Sequence, residues 1–500
     1  MSKLYVFGIG GTGARVLKSL TMLLAAGVDC GVDTIVPIII DRDMSNKDLS
    51  RTKLIIEDYI AVNRSVGANG KNMFFKTKIS LLDGGLYLQL KDNTQKFDEF
   101  IGKRTMTNEN KALVDMLFSS KTLGLDMTEG FQGNPNIGSV VLNQFDDSNV
   151  FKKFANDFKN GDKIFIISSI FGGTGASGFP LLRKILQTAN VKDADGNNLP
   201  NWGLVNKAPI GAISVLPYFI VGPAKEESQV DSDTFIDKTR AALSYYKTED
   251  KKIDTLYYIA DRLTSTYEHN KGGDAQKNDA HFVELAGALA ILDFVNPLKA
   301  SKNFLRENDN IQQTTYKEFA INSNLKEFNF SSLADETKRL IINPLSRFLL
   351  FSKYMGYSVV QRDIDGKDAL VVELIESNDT FKKEHKHQPY ARKRFTGEFR
   401  QEDIIKKLES IQSKYLEWLL EMEKQERKFA PFNLMSTNCN NYIKGDLSVS
   451  KIKEFPYKNW ARVDDELNAQ IRKVDKSLNN DECFIELFYR VSERLINYKN

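Results

Sequence analysis

Two glycine-rich stretches hold the residue types that could grip an anion: Phe7-Gly8-Ile9-Gly10-Gly11-Thr12-Gly13 and Phe171-Gly172-Gly173-Thr174-Gly175-Ala176-Ser177-Gly178. Each closes an apolar run. Glycine admits positive φ and lets amide N–H groups come close to an anion. A helix that follows adds free N–H donors and the positive end of its dipole. Neither stretch has the Lys-Ser/Thr pair of a Walker loop. Phosphates would therefore fall to backbone amides, to the hydroxyls of Thr174 and Ser177, and to a metal ion. Two such turns in one domain suggest a nucleotide held from two sides. The plainer alternative is that the glycines only let strand and helix pack closely. Taken alone, Gly8-x-Gly10-x-x-Gly13 also satisfies the dinucleotide fingerprint, and Asp41 ends the next strand where a ribose-binding acid would sit. The interval to Asp41 exceeds the roughly 20 residues of that motif, and a simple dinucleotide domain has no use for the second turn.

The elements around these turns set the fold class. Leu4 to Ile9 reads as a buried strand, and Val16, Leu17, Leu20, Leu23 and Leu24 recur at helical spacing after it. Ile35 to Ile40 is a second strand, ending in Asp41-Arg42-Asp43. Strand, helix, strand is a right-handed parallel unit with ligand groups at the carboxyl ends of its strands. From about Asn46 to Thr128 the pattern predicts only helices and loops. Lys163 to Ile170 is a clear strand, followed by the second glycine turn and a helix to about Leu186. Strands Ile210 to Leu216 and Asp254 to Ala260, with a helix from about Ser228 to Tyr246 between them, continue the alternation. Phe282, Leu285, Leu289 and Leu292 mark a long apolar core helix. Beyond it, Tyr357 to Val360 and Ala369 to Ile375 read as a hairpin across Asp365-Gly366. Ile404, Leu408, Ile411, Tyr415, Leu419 and Met422 form one helical stripe, and a last helix runs from about Cys483 to Ile496. The expectation is an α/β parallel-sheet domain over 1–270, a central helix over 271–300, a second α+β domain over 301–400 and a C-terminal helical region over 401–500.

Bulk composition narrows the class. The 500 residues are 41% hydrophobic and 27% charged, with a formal charge of +3. That charge is too small for this length to imply a nucleic-acid or membrane surface. Three widely spaced cysteines, Cys30, Cys439 and Cys483, indicate neither a disulfide framework nor a zinc knuckle. No apolar run reaches the ~20 residues of a bilayer span. A soluble, cytoplasmic protein is expected.

These pieces together resemble the tubulin/FtsZ superfamily, in one of its divergent bacterial tubulin-like branches. Gly172-Gly173-Thr174-Gly175, followed by Gly178 and Pro180, is similar to the family's GGGTG(S/T)G loop, with Phe171 in place of its first glycine and one residue more before the last. Gly8 to Gly13 is similar to the first phosphate loop, Asp41-Arg42-Asp43 to the Asn-Thr-Asp turn, and Gly133-Asn134-Pro135-Asn136-Ile137-Gly138 to the Ala-Asn-Pro-Glu-x-Gly turn. Ser214 to Phe219 resembles the ribose-side loop, and Asp254-Thr255-Leu256 opens the Asp-Thr-Leu strand. The six matches keep the family's order and span about residues 3 to 340. The resemblance implies a tubulin/FtsZ-like nucleotide-binding domain, a long central helix and a divergent second domain. It further implies a GTPase of slow turnover that binds GTP/GDP with Mg²⁺ and builds filaments by head-to-tail association with copies of itself.

In that reading Gly10, Gly11, Thr12, Gly13, Gly172, Gly173, Thr174, Gly175 and Ser177 belong to the phosphate site, with Asn134 beside them. Asp41 and Asp43 would hold either the metal's hydration shell or the ribose. Ala260 stands where FtsZ has an asparagine that reads guanine, which opens the base preference. Asn278, at the start of the central helix, either contacts the base or caps the helix. Ser332-Leu333-Ala334-Asp335 is similar to the family's Asp-x-x-Asp motif with its first acid replaced. Asp335 and Glu336 are the candidates for orienting water at a neighbouring subunit's nucleotide; the alternative is that they open a helix. His281 and Glu284 read as structural. His385 and His387 lie in a basic run that reads as a solvated loop, with a nucleic-acid or acidic-partner contact as its alternative. Two other functions stay open: a nucleotide-binding scaffold that does not polymerise, and a dinucleotide-dependent oxidoreductase.

Overall fold

The computed structural model describes residues 2–66, 74–83, 85–88, 96–131, 133–145, 148–192, 195–222, 235–249, 253–267, 277–296, 314–319, 324–365, 403–435, 443–444 and 461–498. Its contacts divide the chain into two units. The first comprises Met1–Lys18, Gly31–Lys53 and Ser80–Ser323, and the second Ser19–Cys30, Leu54–Ile79 and Asn324–Asn500.

Six of the seven strands of the main sheet belong to the first unit among the described residues. They are β1 (Lys3–Ile9), β2 (Thr34–Ile40), β3 (Lys163–Ser169), β4 (Ile210–Val215), β6 (Thr255–Ile259) and β8 (Thr315–Phe319). Their order is β2-β1-β3-β4-β6-β8, and every pairing is parallel. Sequences such as TIVPIII and KIFIISS are buried almost throughout, as parallel strands covered on both faces must be. A separate two-stranded parallel ladder joins β5 (Phe219–Val221) to β7 (Ser265–Tyr267). The helices include α1 (Gly10–Ala25), α2 (Lys47–Ser65), α3 (Pro135–Val141), α4 (Gly173–Gln187), α5 (Phe235–Glu249) and α6 (Phe282–Val295). Helix α6 is apolar on all sides and nearly all buried, as a core helix should be. A Cβ on Gly287 would lie 3.0 Å from Val16, so the glycine lets α6 and α1 approach closely.

The α/β class and the parallel sheet agree with the sequence. Strand β8 is an addition: its residues TYKEF include exposed Tyr316, so it has no apolar run by which an edge strand could be read.

In the second unit the described residues are chiefly helical: α7 (Asp335–Asp365), α8 (Asp403–Lys424), α9 (Ala461–Ile471) and α10 (Asn480–Leu495). A two-residue parallel pairing joins Glu327–Phe328 to Lys428–Phe429. Its core is aromatic. Phe351 stacks on Phe488 at 4.2 Å, and Phe348 meets Tyr415 edge-on at 5.0 Å. The stripe from Leu408 to Met422 lies on α8 and is buried. The expected hairpin needs correction. Tyr357 to Val360 continues α7, while Ala369 to Ile375 lies outside the described residues. Once the preceding turns of α7 are fixed by Ile341, Leu345, Phe348 and Phe351, adding helical residues is easy, and this outweighs the local β preference of Val359 and Val360. His385, His387 and the basic run around them also lie outside the described residues. No described helix is long and apolar enough to cross a membrane.

Candidate functional site

The carboxyl ends of β1, β2 and β3 line one edge of the sheet, with Gly8 in register with both Ile39 and Ile167. The chain leaves β1 toward β2 on one side and later returns to β3 on the other. The crevice between β1 and β3 is thus the point of reversal, where open parallel sheets place their ligands. Both glycine turns open there.

The turns touch. A Cβ built on Gly10 would lie 3.5 Å from Thr174 Cβ and 3.7 Å from the Gly175 amide nitrogen, and Gly10 has a φ of +71°. Gly10 and Gly175 are buried there, while Gly11 and Thr174 beside them are half-buried. Two further segments converge on them. Gly173 abuts the turn before α3, its Cβ position 3.1 Å from the Asn134 amide nitrogen; in that turn Gly130 faces Asp43, 3.7 Å from its Cβ.

The glycines divide by duty. A Cβ on Gly13 would lie 2.4 Å from the Gly8 carbonyl carbon, and one on Gly175 would lie 2.5 Å from the Ser169 carbonyl oxygen. These two permit close strand–helix packing, which is the plainer alternative realised in part of each motif. Gly10 and Gly11 are not pinned in this way.

The polar residues divide too. Ser177 is 1% exposed, and its hydroxyl donates to the Gly173 carbonyl at 2.7 Å. That directs it into its own helix, against α3, instead of toward the crevice. Asn134 caps α3, its side-chain oxygen accepting from the Asn136 amide at 3.2 Å. Asp41 and Asp43 end β2 together, both buried. The Asp43 amide donates to Asp41 Oδ1 at 3.2 Å, and the Ser45 hydroxyl donates to Asp43 Oδ1 at 2.8 Å. Burial moves the Asp41 carboxyl up to about 7, against the lowering effect of the hydrogen bond from the Asp43 amide. Such a carboxyl suits a nearby cation, which would favour its charged form.

The capping alternative for Asn278 needs correction. Helix α6 begins later, with His281 as N-cap and Glu284 completing a capping box. Asn278 is buried before the cap, and its amide donates to Asp48 Oδ1 at 3.2 Å. In the second unit Asp335 and Glu336 are exposed in the first turn of α7, where Asp335 pairs with Lys338 at 2.7 Å. The hydrogen bond from Lys338 holds the Asp335 carboxyl below its ordinary range.

What the sequence did not single out is Arg15. Its guanidinium is buried behind the first glycine turn, with Nε donating to Glu284 Oε1 at 2.6 Å and Nη1 to Asp48 Oδ2 at 3.0 Å. Nη2 donates to Tyr218 Oη at 2.9 Å and to Thr12 Oγ1 at 3.4 Å. Burial works against the charged form, but Tyr218, Glu284 and Asp48 hold the Arg15 pKa well above its ordinary value. Burial raises the Glu284 carboxyl, against the pull of Arg15. A signal was available: Glu284 is a lone acid within the otherwise apolar run Phe282 to Leu292.

No family model and no curated protein matches this chain. Among solved structures it is similar to CetZ from Methanosaeta thermophila, at 14% identity and a TM-score of 0.29, over 61% of this chain and 57% of that one. It is also similar to CetZ2 from Haloferax volcanii in a GTPγS-bound protofilament, at 13% identity and a TM-score of 0.27, over 60% of this chain and 61% of that one. The chain thus spans about three-fifths of the length of each.

Proposed function

We propose that this chain is a tubulin/FtsZ-like protein that binds GTP at the crevice between β1 and β3 and hydrolyses it in step with head-to-tail self-association. The observation that carries the reading is the meeting of the two glycine turns, Gly10 against Thr174, at the reversal point of the sheet. A residue with a side chain at Gly10 would fill that gap. The residues fit a triphosphate: amides of Gly10, Gly11, Thr12, Gly172, Gly173, Thr174 and Gly175 at the starts of two helices offer the donors a polyanion needs. They fit Mg²⁺ as well, since that ion keeps most of its waters and asks only one or two carboxylates besides phosphate oxygens, here Asp41 and Asp43. Bound Mg²⁺ would neutralise charge on the phosphates. Positioning and charge stabilisation supply most of the rate in such transfers. In a filament, Asp335 or Glu336 of the next copy would orient the water. A contact that joins unlike faces and does not close generates such a filament.

Calorimetry with GTP and Mg²⁺, followed by light scattering, tests both halves. Micromolar binding and nucleotide-dependent growth are expected. Absence of heat with any purine triphosphate overturns the site. Stabilisation by NAD(P) with none by GTP would favour the oxidoreductase instead. Binding without growth would favour the scaffold, a reading that the engagement of Asp335 by Lys338 supports.

A further inference from the structure

We propose that Arg15 is the positioning residue of the phosphate cradle and acts through the hydroxyl of Thr12; the proposal rests on the reading of this crevice as a phosphate site. Arg15 is not itself free to bind an anion. Its side chain is 4% exposed, and four of its five N–H donors go to Glu284, Asp48, Tyr218 and Thr12. Each carboxylate that holds it is anchored in turn. Glu284 Oε2 accepts from the His281 amide at 3.2 Å, and Asp48 Oδ1 accepts from the Asn278 amide at 3.2 Å. The Tyr218 hydroxyl donates to Glu284 Oε1 at 3.1 Å. The planar fork is therefore fixed from α2, α6 and the segment after β4 at once, which a flexible ammonium would not reproduce.

The consequence falls on Thr12. A hydroxyl has one proton and two acceptor sites. With Arg15 Nη2 donating to Thr12 Oγ1, the hydroxyl proton is left to donate elsewhere. Thr12, 7% exposed, sits between Gly11 and Gly13 in the first turn of α1, where backbone amides have no partner within the helix. An anionic oxygen in the crevice would then meet a hydroxyl already set as donor. A long-range charge network thereby prepares one polar contact in a cradle otherwise built of backbone.

A double-mutant cycle tests this with Arg15→Lys, which keeps a cation between the two buried carboxylates, and Thr12→Val, which removes the hydroxyl at constant shape. Calorimetry with GTP and Mg²⁺ is expected to show about tenfold weaker binding in each variant, and no further loss when they are combined. A merely structural Arg15 would weaken binding by the same factor in either background. Multiplying losses, or undiminished affinity in Thr12→Val, would overturn the proposal. Should Arg15→Lys fail to fold by circular dichroism, Tyr218→Phe takes its place. That variant removes one partner of Nη2 and is expected to weaken GTP binding two- to threefold, again only when Thr12 is present; an equal loss in the Thr12→Val background overturns the proposal. Failure of the underlying reading shows separately, as absence of GTP binding by the unmutated protein.

Discussion

The two glycine turns are held in place by different means. The first adds charge to close packing: Gly13 sits on Gly8, and Arg15, Asp48 and Glu284 meet behind the turn in the core. The second has no ionisable residue from Phe171 to Phe179 and is seated by close packing, with Gly175 on the Ser169 backbone, Gly173 on Asn134, and the Phe171 ring edge-on to Phe219. A turn held by close packing tolerates no added atoms. A turn held by a charge network tolerates some change in shape but no loss of a partner, because an uncompensated buried charge is costly.

The largest effects should come where a methyl group strikes backbone. Gly13→Ala and Gly175→Ala place a Cβ 2.4 and 2.5 Å from main-chain atoms. Each is expected to cost about 3 kcal/mol in urea unfolding, the upper range for overpacking. Loss of less than about 1 kcal/mol would show that the strands and helices can separate there. A pH effect of comparable size is expected in the nucleotide-free protein. The folded state raises Asp41 to about 7 from 3.8, so folding takes up a proton in that window. The stabilising contribution is full below pH 4 and is lost as pH rises through 7. Relative to Asp41→Asn, the unmutated protein should therefore lose stability by roughly 1.4 kcal/mol per pH unit across the window. Parallel pH–stability curves would refute the burial argument.

Gly11→Ala sharpens the contrast from the other side. Its Cβ would be in ordinary contact, 3.5 Å from Arg15 Nη1, and its φ is not in the positive range. The fold should change by less than about 0.5 kcal/mol, as for benign surface changes, while GTP binding weakens at least tenfold in calorimetry. Smallest is Ser177→Ala. It removes one intrahelical hydrogen bond, worth about 1 kcal/mol, and should leave GTP affinity unaltered. A tenfold loss would return Ser177 to the ligand set.

The legible parts were those whose signal is local. Apolar runs ending in glycine gave β1, β3 and the turns after them, and the stripe on α8 gave its buried face. Tyr357 to Val360 misled because four residues of high β preference say nothing about the helix feeding into them. Strand β8 was missed because an exposed edge carries too few apolar residues to show a period. The start of α6 was misplaced because His281 is an uncommon cap, and only the geometry shows its ring nitrogen accepting from the Val283 amide at 3.2 Å.

By itself the sequence determined where glycine must let the backbone turn and come close, since that freedom belongs to the residue type. It could not say which of those glycines pack against a neighbouring strand and which do not. Nor could it pair Arg15 with Glu284, which stands 269 positions away. Only the tertiary structure decided these, because burial and hydrogen-bond geometry are properties of atoms brought together from distant parts of the chain, and a charge may enter a core only where such partners already wait.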